Sequence, residues 1–227
     1  MKDKGIMNSL RNVLCIVTCV LAFAMSLNAQ EPKNSARAND PPKKNARPAE
    51  DIAIKPEPFD GASVEKMAQQ CVTLQTETGN ILMEMLPDSA PENVRNFLNL
   101  SVSGAFDTTT FSRVVKDFVI QGGNLSTSEK WGIELMKRMA HKLPDEPGLI
   151  KHVRGIVSMA RPNEPNSATT NFFILVGTGS NLDGKFSAFG RVTRGMEVVD
   201  AINHAPTEGE KPSKPVHITK ATVAPCL

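Results

Sequence analysis

The chain has 227 residues, of which 40% are apolar and 22% charged. That is ordinary globular usage for one domain with appendages, and it excludes a disulfide-stapled miniprotein and wholesale disorder. The formal charge of +2, from 26 basic and 24 acidic groups, argues against a nucleic-acid binder built on charge.

Residues 1–29 read as an address. Lys2, Lys4 and Arg11 outweigh Asp3, and an uncharged apolar run of thirteen residues follows from Val13 to Met25. Ser26-Leu27-Asn28-Ala29 then places a small residue before Gln30. This order predicts a secretory signal peptide, because a membrane span needs about 20 apolar residues. Leu27 is larger than the residue usually found two places before a cut after Ala29, so an uncleaved anchor is the alternative. Export leaves Cys71 and Cys226 in the mature chain. Two thiols in an oxidising compartment either pair or lie apart as unrelated buried residues, and a metal site would need more ligands.

Residues 30–68 are read as a proline-rich disordered linker, since Pro32, Pro41, Pro42, Pro48, Pro56 and Pro58 sit among polar residues with few large apolar side chains. A single domain is predicted over 69–227. It opens with strands over Val72–Thr76 and Ile81–Leu86, joined at Thr78-Gly79-Asn80. A helix follows at Pro91, capped by Asp88 or Ser89, with Val94, Phe97, Leu98 and Val102 as its apolar stripe and Gly104 at its end. Further strands are expected over 109–115, 118–120, 155–160, 171–176, 187–192 and 217–224. A second helix covers about Met196 to His204, with Val199 and Ile202 inward, and residues 130–143 offer a third. Strands outnumber helices without alternating with them. The fold class is therefore mainly β: a closed eight-stranded antiparallel barrel capped by two main helices.

Familiar catalytic constellations are missing. His141, His152, His204 and His217 are scattered and read as surface residues, with no pair at metal-ligand spacing. No nucleophile elbow or phosphate loop occurs. Two glycosylation sequons, at Asn99 and Asn124, are patterns common by chance. What stands out is an arginine among apolar and amide residues, Phe111-Ser-Arg113-Val-Val-Lys-Asp-Phe118-Val-Ile-Gln121-Gly122-Gly123. Later segments are Gly155–Arg161 and Asn171-Phe172-Phe173-Ile174, where alternation turns one ring inward and one outward.

These segments, followed by Leu182-Asp-Gly184-Lys and Phe189-Gly190, resemble the cyclophilins in order and spacing from about Val72 to Val223. Ser167-Ala168-Thr169 and Pro212-Ser-Lys-Pro215 are similar to bacterial periplasmic members. The resemblance implies a peptidyl-prolyl cis-trans isomerase acting on proline-containing polypeptides in the folding of exported proteins. It needs no cofactor and no metal, because no bond is made or cleaved. It implies Arg113 as the catalytic arginine, Gln121 as the amide that steadies it, and Phe118 beside them. Val119, Phe173 and Leu182 would complete the proline pocket, with Ala160 and Arg161 along the substrate backbone. Asn171 falls where the family usually has glutamine, and Phe186 where many members have histidine. Asn181 stands where cyclosporin-sensitive members have tryptophan, and Ser112 replaces a frequent histidine. These departures keep a second reading open, a proline-peptide binding or chaperone module without useful turnover. The family fold pairs the first and last strands, which implies a Cys71–Cys226 disulfide. A monomer is expected, with membrane contact only if residues 1–29 are retained.

Overall fold

The computed structural model describes residues 56–226, so the expected signal peptide and most of the expected linker lie outside the described residues. The linker boundary moves. Phe59 is 7% exposed and Met67 0%, both within the main core. Met67 lies on a short helix, α1 (Val64–Ala68), whose N-cap Ser63 accepts from the Lys66 amide. Arg95 Nη1 donates to the Phe59 and Ala62 carbonyl oxygens at 2.7 and 2.9 Å, and the Phe59 amide donates to Asn99 Oδ1 at 2.9 Å. One aromatic ring and one methionine thus bring the last part of the supposed linker into the domain, where an average over a polar segment hides them.

Strands β1 (Gln70–Thr76) and β2 (Gly79–Met85) form a hairpin in which Thr76 pairs with Gly79, so Glu77-Thr78 make the turn one position earlier than expected. Helix α2 (Pro91–Val102) begins with proline at its first turn. Neither Asp88 nor Ser89 caps it. The Glu146 carboxylate does so from across the chain, accepting from the Glu92 and Asn93 amides at 3.0 and 2.9 Å, a placement that the positive helix end favours. Val94, Phe97 and Leu98 are buried, but Val102 is 46% exposed. At about 100° per residue Ser101 falls nearer the centre of the stripe and is buried in its place. Asn99 is buried and its amide donates to Asp60, so that sequon is spent on packing.

The remaining elements are β3 (Arg113–Val115), β4 (Val119–Gly122), α3 (Ile133–Ala140), β5 (Ile156–Met159), β6 (Phe172–Leu175), β7 (Ala188–Arg194), α4 (Met196–His204), β8 (Thr207–Glu208), β9 (Lys211–Pro212) and β10 (Ile218–Pro225). Eight strands make one curled antiparallel sheet in the order β10-β1-β2-β7-β5-β6-β4-β3, and β8 and β9 pair separately. The first expected strand after α2 is shorter than 109–115, because its leading residues take another part. Thr108, with φ of 62°, is in the left-handed region. Residues 108–111 then exchange backbone hydrogen bonds with 216–218: Thr108 N to Ile218 O, Ile218 N to Thr109 O and Phe111 N to Val216 O. These bonds close the barrel where β3 and β10 share no ladder.

Phe97 of α2 packs its ring 5.2 Å from Phe172 and 4.8 Å from Phe189, with Phe106 alongside, so an aromatic cluster joins helix to sheet. Val199 and Ile202 of α4 are buried as expected. Cys71 on β1 and Cys226 after β10 are joined by a disulfide across a sequence separation of 155. A crosslink closing so long a loop typically contributes about 2–4 kcal/mol by restricting the unfolded chain.

Candidate active site

Antiparallel register brings the expected residues together. Arg113 on β3 stands opposite Gln121 on β4, Gln121 opposite Phe173 on β6, and Phe173 opposite Ser158 on β5. Paired positions share a face, so these four form one row across the sheet. The Arg113 Nη1 donates to Gln121 Oε1 at 3.2 Å. Phe172, the other ring of the pair, turns into the core. Gly123, just after β4, has φ of 82°, and a Cβ there would lie 2.3 Å from the Thr170 carbonyl oxygen, so only glycine fits.

Loops and turns supply the rest. Phe118 closes the turn between β3 and β4, which α4 clamps: the Asp117 amide donates to Asn203 Oδ1 at 2.9 Å, and Asn203 Nδ2 donates to the Val115 and Val119 carbonyl oxygens. Leu182 lies on a single 3-10 turn, Ser180–Leu182, beside exposed Asn181. Phe186 meets Phe173 edge to face at 6.1 Å. Arg113, Phe118, Val119, Gln121, Ala160, Arg161, Phe173, Leu182 and Phe186 together line one cavity of about 140 Å³. Asn171 does not reach it. It lines an adjoining hollow with Pro162, Ser167 and Thr169, and its carbonyl oxygen accepts from the Ala160 amide at 2.9 Å.

Arg161 is less a free edge than a brace. Its guanidinium stacks 4.9 Å over Phe186, Nε lies 2.9 Å from Asp145 Oδ1 at an angle too oblique for a hydrogen bond, and Nη2 donates to the Lys185 carbonyl oxygen. Two further residues escape sequence reasoning. Glu210, between β8 and β9, accepts from Arg113 Nε at 2.7 Å, and that hydrogen bond, then the charge, holds its carboxyl below the usual range. His152, read as a surface residue, is 1% exposed. Its Nδ1 lies 3.2 Å from Asp183 Oδ1 and its Nε2 3.1 Å from Ser158 Oγ, which also bonds the Ser187 carbonyl oxygen at 2.8 Å. Burial pushes the imidazole pKa down against the pull of Asp183. The Asp183 carboxyl is itself held low, first by the His152 backbone amide. No local signal marks His152 as buried, because its neighbours Lys151 and Val153 are exposed.

The family model described as cyclophilin type peptidyl-prolyl cis-trans isomerase/CLD matches residues 71–223. The chain belongs to the cyclophilins. It is 40% identical over 158 residues to peptidyl-prolyl cis-trans isomerase cypE of Dictyostelium discoideum, covering 69% of this chain and 99% of the relative. It is 36% identical to peptidyl-prolyl cis-trans isomerase A of Dickeya dadantii, with coverage of 67% and 83%. A crystal structure of a Cryptosporidium parvum cyclophilin, obtained in the presence of the dipeptide Ala-Pro, superposes with a TM-score of 0.60 at 30% identity, covering 68% of this chain and 98% of that one. This cyclophilin is accordingly a peptidyl-prolyl cis-trans isomerase, and the cavity beside Arg113 is its candidate active site.

Proposed function

We propose that the cavity takes the proline ring of an X-Pro bond and that Arg113 stabilises the twisted amide. An apolar hollow of about 150 Å³ accepts a benzene-sized ring, and the cavity between Val119, Phe173, Leu182 and Phe186 approaches that volume. Presence of Ala-Pro in the related crystal structure supports this occupant. The peptide bond resists rotation by about 18–20 kcal/mol because amide resonance must be broken, which makes uncatalysed X-Pro isomerisation slow enough to limit folding.

In the twisted state the proline nitrogen turns pyramidal and gains a lone pair. A guanidinium donor aimed at that nitrogen binds the twisted form more strongly than the planar one, and only such a difference accelerates the reaction. Apolar walls exclude water and strengthen the interaction. Among the described residues, Gln121 and Glu210 engage only Nη1 and Nε, which leaves both Nη2 protons for substrate. Phe118 borders the ring, and Gln121 steadies the arginine. The Ala160 edge lies along the substrate backbone, with Arg161 bracing Phe186 behind it. Asn171 lines the hollow toward which a longer peptide extends.

The observation that carries this reading is the convergence of Arg113 and the apolar walls on one cavity. A protease-coupled assay on an Ala-Pro peptide tests it. Turnover that collapses in Arg113→Ala, with binding kept, supports the role. Peptide binding without turnover in either protein would favour the binding module and make Asn171 and Phe186 the positions to restore.

Exported proteins are the proposed clients, in the periplasm or outside the cell. The basic, apolar and small-residue order of residues 1–29 supports this. So do the disulfide, a bond favoured in oxidising compartments, and the likeness of 167–169 and 212–215 to periplasmic members. Intact mass of the exported protein checks it: cleavage after Ala29 is expected, and a retained leader would indicate an anchor.

A further inference from the structure

Resting on the reading of Arg113 as the transition-state donor, we propose that Glu210 is a positioning residue that sets the plane of the Arg113 guanidinium. An arginine side chain has several rotatable bonds, and holding it in one geometry is entropically costly. Gln121 takes hold of the guanidinium at one point only, Nη1 at 3.2 Å. Glu210 Oε2 takes Nε at 2.7 Å. With the side chain's own attachment at Cδ, these two anchors fix the plane and direct the free Nη2 edge.

Glu210 is itself well placed to serve as a reference point. Thr207 pairs with Pro212 and Glu208 with Lys211, so Gly209 and Glu210 form the tip of a two-residue turn, with Gly209 at φ of 63°. The Val114 amide then donates to the Glu210 carbonyl oxygen at 2.8 Å, tying that tip to the residue next to Arg113. The carboxylate therefore moves with β3. The ion pair is exposed, 43% for Arg113 and 57% for Glu210, and exposed pairs add little to stability. Its consequence lies in direction. A carboxylate on Nε also draws positive charge away from the substrate edge, which opposes the benefit of orientation. Orientation is the larger effect here, because the Nη2 edge left to donate is not the nitrogen that the carboxylate engages.

The test uses Glu210→Ala and Glu210→Gln in the full chain, each alone and with Arg113→Ala, assayed by two-dimensional exchange NMR on an Ala-Pro peptide. Glu210→Ala should lower kcat about three- to tenfold with KM nearly unchanged, less than the roughly 10²-fold that a 1 Å misplacement causes. Glu210→Gln keeps an oxygen acceptor without the charge and should recover most of that loss, at an unaltered thermal midpoint. In Arg113→Ala the second substitution should change nothing. If Arg113→Ala leaves kcat intact, the catalytic reading of Arg113 fails. If Arg113→Ala abolishes turnover while Glu210→Ala leaves kcat alone or raises it, only the role of Glu210 is overturned. Failure of Glu210→Gln to rescue would also overturn positioning in favour of charge.

Discussion

Arg113, Gln121 and Phe173 are held by backbone ladders, one residue opposite the next on β3, β4 and β6. Phe118, Leu182 and Phe186, which close the other side of the same cavity, stand on short turns that distant side chains brace. Asn203 clamps the turn of Phe118, Asp183 joins His152 just after Leu182, and Arg161 stacks on Phe186. Ladder geometry is stiff and local, and it points side chains by period alone. The turns have few backbone bonds of their own and are braced by side chains from elsewhere in the chain. The comparison predicts that loss of the ladder-side arginine appears in kcat and loss of a pocket-wall contact in substrate binding, with stability falling wherever a buried group is removed.

The largest effect should come from the ladder side. Arg113→Ala is expected to lower kcat by about 10²–10³, the range for removal of one preorganised transition-state donor, with little change in the denaturation midpoint. Phe173→Ala follows: a buried ring in the row is lost, at a cost of about 3 kcal/mol in urea unfolding together with weaker peptide binding. Should Arg113→Ala instead raise KM and spare kcat, the division between the two sides would be wrong at its strongest point.

Arg161→Ala probes the turn side. It removes the stack on Phe186 and leaves Asp145, only 16% exposed at its side chain, without its cation. About 2 kcal/mol of stability is expected to go with them. Peptide titration should show KM rising several-fold while kcat holds, because the loosened wall contacts substrate and transition state alike. Loss confined to kcat would place Arg161 with the ladder residues.

The same division explains what could be read from the sequence. Strand period and order made the Arg113–Gln121–Phe173 row legible once the family likeness aligned the segments, and helix α4 was recoverable from its apolar spacing. Phe59 and Met67 were hidden because composition over a polar stretch says nothing of the one ring that packs. Glu146 was hidden because a loop residue caps a helix more than fifty positions earlier, 54 from Glu92, where Asp88 and Ser89 stood closer to hand. Glu210 lies 97 residues from Arg113, and Thr-Glu-Gly-Glu-Lys-Pro reads as an ordinary exposed turn. These three are long-range polar contacts or single burial events, neither of which leaves a periodic trace.

His152 sharpens the comparison by pH. Nδ1 faces the Asp183 carboxylate and Nε2 faces Ser158 Oγ, whose hydroxyl donates to the Ser187 carbonyl oxygen. Ser158 belongs to the ladder row and Asp183 to the turn side, so this buried imidazole joins the two. Its folded pKa is lowered from 6.5, chiefly by burial, which means that the unfolded chain takes up the proton first. Stability contributed by neutral His152 is therefore fully present above about pH 6.5 and declines as pH falls from there toward the depressed folded value. Asp183, whose folded pKa is lowered from 3.8, acts only at still lower pH, where its stabilisation is lost as the carboxylate protonates. Urea midpoints measured from pH 7.5 to 5 should thus fall in the wild type and fall less in His152→Gln. Equal slopes in the two proteins would mean that His152 carries no such linkage, and that the contact between ladder and turn is indifferent to its protonation.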